Sequence, residues 1–186
     1  LGLLKSEWSV MLPSEAEWEK ASRGGFEVPQ EGKALVKTAR AVSRASRRLA
    51  LADNQQVRRV YPWGDEFDED GANVVETGVG ELAAVGCFGS GRSVYGCEDL
   101  SGNVWEWTRS LWGKDYDLEH EYPYVASEGR ERLDAGDDVP RVLRGGAFCD
   151  FAGYARCSSR PGSHPTRRSY SIGFRVMLSP LSSSDL

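Results

Sequence analysis

Few side chains in this 186-residue chain have the type and spacing for chemistry. The four cysteines, Cys87, Cys97, Cys149 and Cys157, include no C-x-x-C pair, and the histidines number two, His120 and His164. A structural zinc ion takes four thiolate or imidazole ligands, usually in closely spaced pairs, so a zinc site is not expected here. Buried free thiols are the expected state of the cysteines, with two disulfides as the alternative. No pair of titratable residues has the spacing of a recognisable general acid and base. Catalysis is therefore disfavoured.

Residues 149–171 carry the second anomaly. Lys, Glu, Gln, Met and Trp together make up 32 of the 186 residues, yet none occurs among these 23 positions. A uniform composition would place roughly four there. The five missing types share one property: none is encoded by a codon that ends in a pyrimidine. The window is instead made of Cys, Asp, Phe, Ala, Gly, Tyr, Arg, Ser, Pro, His and Thr.

These residues need a scaffold, and the composition supports one. Hydrophobic residues are 40% and charged residues 27%, enough for one domain with a buried core and too apolar for a disordered chain. There is no run of 18 apolar residues to span a bilayer, and residues 1–10 carry Lys5 and Glu7 without a small-residue cleavage site, so the compartment stays open. Ser14 followed by Glu17 forms a capping box after Pro13 and predicts a helix from there to about Arg23, with Trp18 and Ala21 facing a core and Glu15 and Glu19 toward the positive end of the macrodipole.

Residues 31–60 carry a net charge of +6 against −11 for the remainder, and Leu35, Ala39, Val42 and Leu49 recur at helical spacing. A basic helix packed on its own acidic domain is preferred over one that binds nucleic acid, because no aromatics interleave the cations. Beyond residue 60, Gly, Pro, Asp and Asn punctuate short apolar runs, which predicts short strands and long ordered loops. Trp105 and Trp107 alternate with Glu106, so the tryptophan face is expected in the core and Glu106 on the other side. Pro62 and Gly64 shape a turn around Trp63, and Gly145 and Gly146 permit positive φ or close backbone approach. Residues 179–186 read as a frayed polar tail.

Five strings follow one another in fixed order: Leu12-Pro13-Ser14-Glu15-Ala16-Glu17-Trp18-Glu19, Tyr61-Pro62-Trp63-Gly64, Asp99-Leu100-Ser101-Gly102-Asn103-Val104-Trp105-Glu106-Trp107, Arg144-Gly145-Gly146, and Ile172-Gly173-Phe174-Arg175-Val176. Together they resemble the formylglycine-generating enzyme type of C-type lectin fold over residues 12 to about 178. The resemblance implies a single α+β domain over residues 1–186, loop-rich with few regular elements, whose binding face is built from C-terminal strands and loops in 141–178. Two departures stand out. Residues 26–60 resemble a basic helical insertion, and the strand and helix that usually precede the Leu12 string are nearly absent.

The same resemblance implies structural Ca²⁺ held by the side chains of Asp99 and Glu106 and the carbonyls of Gly102 and Val104, hard oxygens as that ion requires. A second family site near Asn73 and Val74 lacks an acidic residue at Thr77. The family's oxidases hold copper with two cysteines five residues apart; here Cys149 is matched by Tyr154, and Cys157 lies eight residues away. Iron-dependent sulfoxide-forming relatives use a His-rich helical domain that this chain lacks.

The pyrimidine-only window resembles the variable protein of a diversity-generating retroelement, in which adenine replacement converts AAY codons to any NNY codon. The resemblance implies a non-enzymatic protein that binds variable protein or small-molecule ligands through Cys149, Asp150, Phe151, Tyr154, Pro161, Gly162, Ser163, His164, Thr166, Arg167, Ser169, Tyr170 and Ser171. Arg156, Arg160, Arg168 and residues 172–176 belong to the frame. A copper oxidase or a degenerate accessory domain of the family is the alternative.

Overall fold

The computed structural model describes residues 8–30, 50–114 and 120–180. Strand β1 (Trp8–Met11) leads through Pro13 into helix α1 (Glu15–Arg23). The helix begins where the sequence predicts, for the predicted reason. Glu17 N–H donates to Ser14 Oγ at 3.2 Å, and Ser14 N–H donates to the Glu17 carboxylate at 2.7 Å, so two donors that a helix start leaves orphaned are satisfied reciprocally.

A short ribbon follows, β2 (Glu27–Pro29) against β3 (Leu51–Asp53). The expected basic helix between them lies outside the described residues, but its flanks form paired strands. After a long run of turns comes the central sheet. Its order is β6-β5-β4-β7, built from β4 (Trp105–Leu111), β5 (Arg141–Arg144), β6 (Gly162–Ser163) and β7 (Ile172–Phe174), with β4 antiparallel to β5 and parallel to β7. Strand β8 (Met177–Pro180) returns to pair with β1, Ser9 opposite Ser179 and Trp8 opposite Pro180. Residues 179–180, read from the sequence as part of a frayed tail, are instead held by backbone pairing, which composition does not report, and residues 181–186 lie outside the described residues.

One expectation about β4 is reversed. The strand alternates up to Ser110, but its buried positions are Glu106, Thr108 and Ser110, with Leu111 buried at its end, while Trp105 and Trp107 are only half-buried. The cause is α1, which lies on that face and brings polar partners. Trp18 Nε1–H donates to Glu106 Oε2 at 2.6 Å and Glu15 N–H donates to Ser110 Oγ at 2.8 Å, while Thr108 finds its partner on β5, its Oγ1 donating to the Val142 carbonyl at 2.9 Å. Polar groups that share partners are cheaper to bury than two indoles stripped of theirs.

Charges follow the same logic. Glu15 and Arg144 are both fully buried and ion-paired, Glu15 also receives Arg160, and the Arg144 guanidinium lies 5.1 Å from the Trp18 ring centre. Glu15, read from the sequence as a helix-dipole partner, is thus a buried counter-ion.

Glycines close the turns beneath the sheet. Gly102 has φ +76°, and a Cβ there would sit 2.2 Å from the Asn73 carbonyl, so no other residue fits. Gly145 and Gly146 both have positive φ, as expected. The Tyr61–Gly64 turn is closed by mutual backbone bonds, and Trp63 stacks on Tyr61 with ring centres 5.1 Å apart.

Burial works against ionisation of Glu17, but hydrogen bonds from Ser14 and the Arg109 guanidinium outweigh it and hold the carboxyl below its ordinary range. A depressed folded-state pKa stabilises fully above the unfolded value of about 4.3 and is lost as pH falls through the folded one. Glu17→Gln should therefore lower Tm at pH 7, and thermal melts should show the difference from the parent shrinking only as pH falls below the ordinary carboxylate range.

Candidate functional site

The C-terminal third of the chain encloses an open cleft of about 950 Å³. Its floor and one wall come from the sheet, through Trp105 on β4, Leu143 on β5, Gly162 and Ser163 on β6, and Ile172 on β7. The other wall is the loop that carries Cys149, Asp150, Phe151, Gly153, Tyr154, Arg156 and Ser159. Arg160, Pro161, Arg167 and Ser171 complete the lining.

The loop has little regular structure of its own beyond a 3₁₀ turn at Ala152–Tyr154, so its shape depends on outside ties. Both Glu76 carboxylate oxygens accept from Ala152 N–H at 3.0 Å, Val75 N–H donates to the Asp150 carbonyl, and Tyr61 Oη donates to the Ala152 carbonyl. Ser101 Oγ donates to the Ala155 carbonyl at 2.7 Å, and Arg144 Nη2 donates to the Cys157 carbonyl at 2.6 Å. Beneath the loop Ala152 and Ala155 pack with Ala72 and Val74. The backbone is thus held by residues outside the loop, while Phe151, Tyr154 and Tyr170 point outward at 62%, 59% and 73% exposure. Exposed side chains on a tied backbone are free to change at small cost.

Nine of the thirteen sequence-nominated positions line this cleft: Cys149, Asp150, Phe151, Tyr154, Pro161, Gly162, Ser163, Arg167 and Ser171. His164, Thr166, Ser169 and Tyr170 stand outside the lining, with Tyr170 packed at 5.8 Å between ring centres on Phe148. Three of the nine are not outward-facing. Ser163 is buried in β6. A Cβ on Gly162 would meet the Trp112 ring at 2.5 Å, and Asp150 accepts the Trp105 indole N–H at 2.7 Å. Among the frame arginines, Arg160 is structural through Glu15, whereas Arg156 and Arg168 are exposed. Arg156 and Arg160 also join the cleft, a role the sequence reading missed because both matched family positions.

The cysteines separate. Cys149 is exposed on the cleft, while Cys157 is fully buried behind it, its sulfur 2.7 Å from Ser22 Oγ. Burial pushes the Cys157 thiol up, away from the thiolate that would bind copper or attack a substrate. Tyr154, five residues beyond Cys149, is exposed at the rim and brings no sulfur to the cleft.

Calcium requires oxygens with lone pairs to spare. Both Glu106 oxygens are instead taken by the Arg175 guanidinium in a two-pronged pair, and one also accepts from Trp18. The Gly102 carbonyl accepts from Val104 N–H at 2.9 Å, and Asp99 Oδ2 accepts from Gly86 N–H at 2.7 Å. A fixed cation already neutralises Glu106, so within the set Asp99, Gly102, Val104 and Glu106 that carboxylate as arranged is committed to Arg175. Near Asn73 the set is incomplete in charge. Asn73 Oδ1 is buried without a partner and the Val74 carbonyl accepts from Thr77 Oγ1, but the set has no carboxylate at Thr77 to balance a divalent charge.

Comparison with known proteins places this architecture. The profile of the Sulfatase-modifying factor enzyme 1-like domain matches residues 5–180. The chain is 30% identical to the inactive C-alpha-formylglycine-generating enzyme 2 of Mus musculus over 179 residues, 88% of this chain and 41% of that protein. It is 33% identical to the hercynine oxygenase of Mycolicibacterium thermoresistibile over 171 residues, 89% of this chain and 31% of that protein. It therefore spans well under half the length of these relatives. Among solved structures, Treponema denticola variable protein 1 aligns with a TM-score of 0.53 at 23% identity, covering 92% of this chain and 48% of that one. PvdO from Pseudomonas aeruginosa aligns with a TM-score of 0.53 at 20% identity, covering 92% and 53%. The chain belongs to the sulfatase-modifying factor, or formylglycine-generating enzyme, family and has its α+β, loop-rich C-type lectin fold.

Because Arg175 holds Glu106, a calcium chelator should leave Tm unchanged in differential scanning fluorimetry. A fall in Tm that added Ca²⁺ reverses would reinstate the calcium site.

Proposed function

We propose that this protein is a non-enzymatic ligand-binding member of its family, with the cleft of residues 149–171 as a binding face diversified by retroelement-directed adenine mutagenesis. One observation carries the reading. The window that lacks Lys, Glu, Gln, Met and Trp is the one that lines the cleft, and the cleft has one thiol where an oxidase needs two. Tyrosine and phenylalanine at the rim supply large contact area at low entropic cost, and Ser and Arg supply adaptable hydrogen bonds, as in antibody paratopes. The inactive mammalian relative and the Treponema variable protein fit this reading, although each is similar to the chain over only part of its own length.

Diversification implies a partition in tolerance. Replacing Phe151, Tyr154, Arg167 or Tyr170 with other NNY residues should change stability by within about 0.5 kcal/mol in urea denaturation. Gly162→Tyr, driven into Trp112, should cost on the order of 1–3 kcal/mol. Equal costs at both sets would contradict a face built to vary.

Two further measurements bear on the reading. Sequencing the locus should reveal a near-copy of the segment encoding residues 141–176 that differs at adenines, and its absence would remove the retroelement. Incubation with copper, oxygen and cysteine-containing peptides should give no turnover; turnover abolished by Cys149→Ser would establish the oxidase instead.

A further inference from the structure

The charges on the cleft narrow the ligand. Although the chain carries a net −5, the charged side chains lining the cleft are three arginines and one aspartate. Two of these four are already committed. Arg160 Nη2 donates to Glu15 at 2.9 Å, and Asp150 is held by Trp105. The other two are available. Arg156 uses Nε on the Gly153 carbonyl at 2.7 Å, and Arg167 has no acidic partner among the described residues.

The floor offers a third polar group. Ser163 is 3% exposed, and its Oγ has no hydrogen-bond partner. A buried hydroxyl without a partner is unfavourable in the free protein, and a ligand oxygen or N–H that reaches it recovers the loss. Around these groups the surface is apolar, formed by Leu143, Pro161 and Ile172 below and Phe151 and Tyr154 at the rim. The volume, about 950 Å³, is near the top of the range of roughly 300–1,000 Å³ for single small ligands.

We infer that the cleft takes a short peptide segment in which an Asp or Glu carboxylate, held by Arg167 and Arg156, lies beside an apolar or aromatic residue that packs against Phe151 and Tyr154. Ser163 Oγ completes the polar contacts from the floor. A guanidinium matches a carboxylate with two parallel N–H donors, and the apolar surround strengthens that pair by excluding water. This inference rests on the binding role proposed above and specifies the chemistry of the same face.

The test presents the full chain to an array of random-sequence heptapeptides and measures the best binders by fluorescence polarisation, each as the acid, its Asn or Gln amide, and a phosphoserine form. Acidic residues beside aromatic or aliphatic ones should dominate the binders, and the amide form should bind at least about tenfold more weakly. The Arg156→Glu, Arg167→Glu double variant, with unchanged Tm, should lose binding by a similar factor. Ser163→Ala should weaken binding several-fold while its Tm holds or rises, which a merely structural serine would not do. Equal binding of acid and amide, equal binding by the charge-reversed variant, or binding of the phosphoserine form alone overturns the carboxylate assignment. If such peptides still lose affinity in Tyr154→Ala, the wider binding role survives. If no peptide binds the folded protein, the peptide assignment falls.

Discussion

Buried charge, matched by buried countercharge, is the constraint on which this fold depends. Glu15 on α1, Arg144 on β5 and Arg160 beside the cleft form one cluster, and Glu106 on β4 with Arg175 after β7 forms another. Trp18 joins the two, its ring facing Arg144 and its N–H bonded to Glu106. Removing one member of such a set leaves an uncompensated charge inside, at a cost of about 3–5 kcal/mol, so the elements are obliged to assemble together. With few regular elements and many turns, the protein relies on this mutual dependence for a unique arrangement.

The same network separates scaffold from site. Arg144 holds the Cys157 carbonyl, Glu76 holds Ala152, and Ser101 holds Ala155, so three ties from outside the loop fix the cleft wall without using a rim side chain. Rim residues then owe little to folding. That division is what a variable surface requires, and it also explains why Gly162, Ser163 and Asp150 behave differently from their neighbours. Each sits where the rim meets the sheet.

Arg175 crosslinks two distant parts of the domain. Its guanidinium bonds Glu106 through both prongs and reaches the Glu98 and Asp99 carbonyls at 3.1 Å, tying the Asp99 turn to the central strand. A divalent ion bridging the same carboxylate and turn would perform a similar crosslink. Burial works against the charge on Arg175, but the close hydrogen bonds it donates to Glu106 outweigh burial and keep the guanidinium firmly protonated.

Local rules were legible in the sequence. The Ser14–Glu17 capping box, the Tyr61–Gly64 turn and the positive-φ glycines depend on neighbours a few residues away, and their residue types admit one outcome. The family strings marked the frame, and the missing codon class marked the cleft. Alternation along β4 was also legible, but not which face would be buried, because that depended on α1, some ninety residues distant, supplying Trp18 and the N–H of Glu15. Likewise the sequence named Cys149 and Cys157 and their spacing, whereas only the tertiary structure placed one on the cleft and the other behind it against Ser22. Sequence determines what a residue can offer; packing between distant elements decides which partner takes the offer, since burial removes water as the alternative.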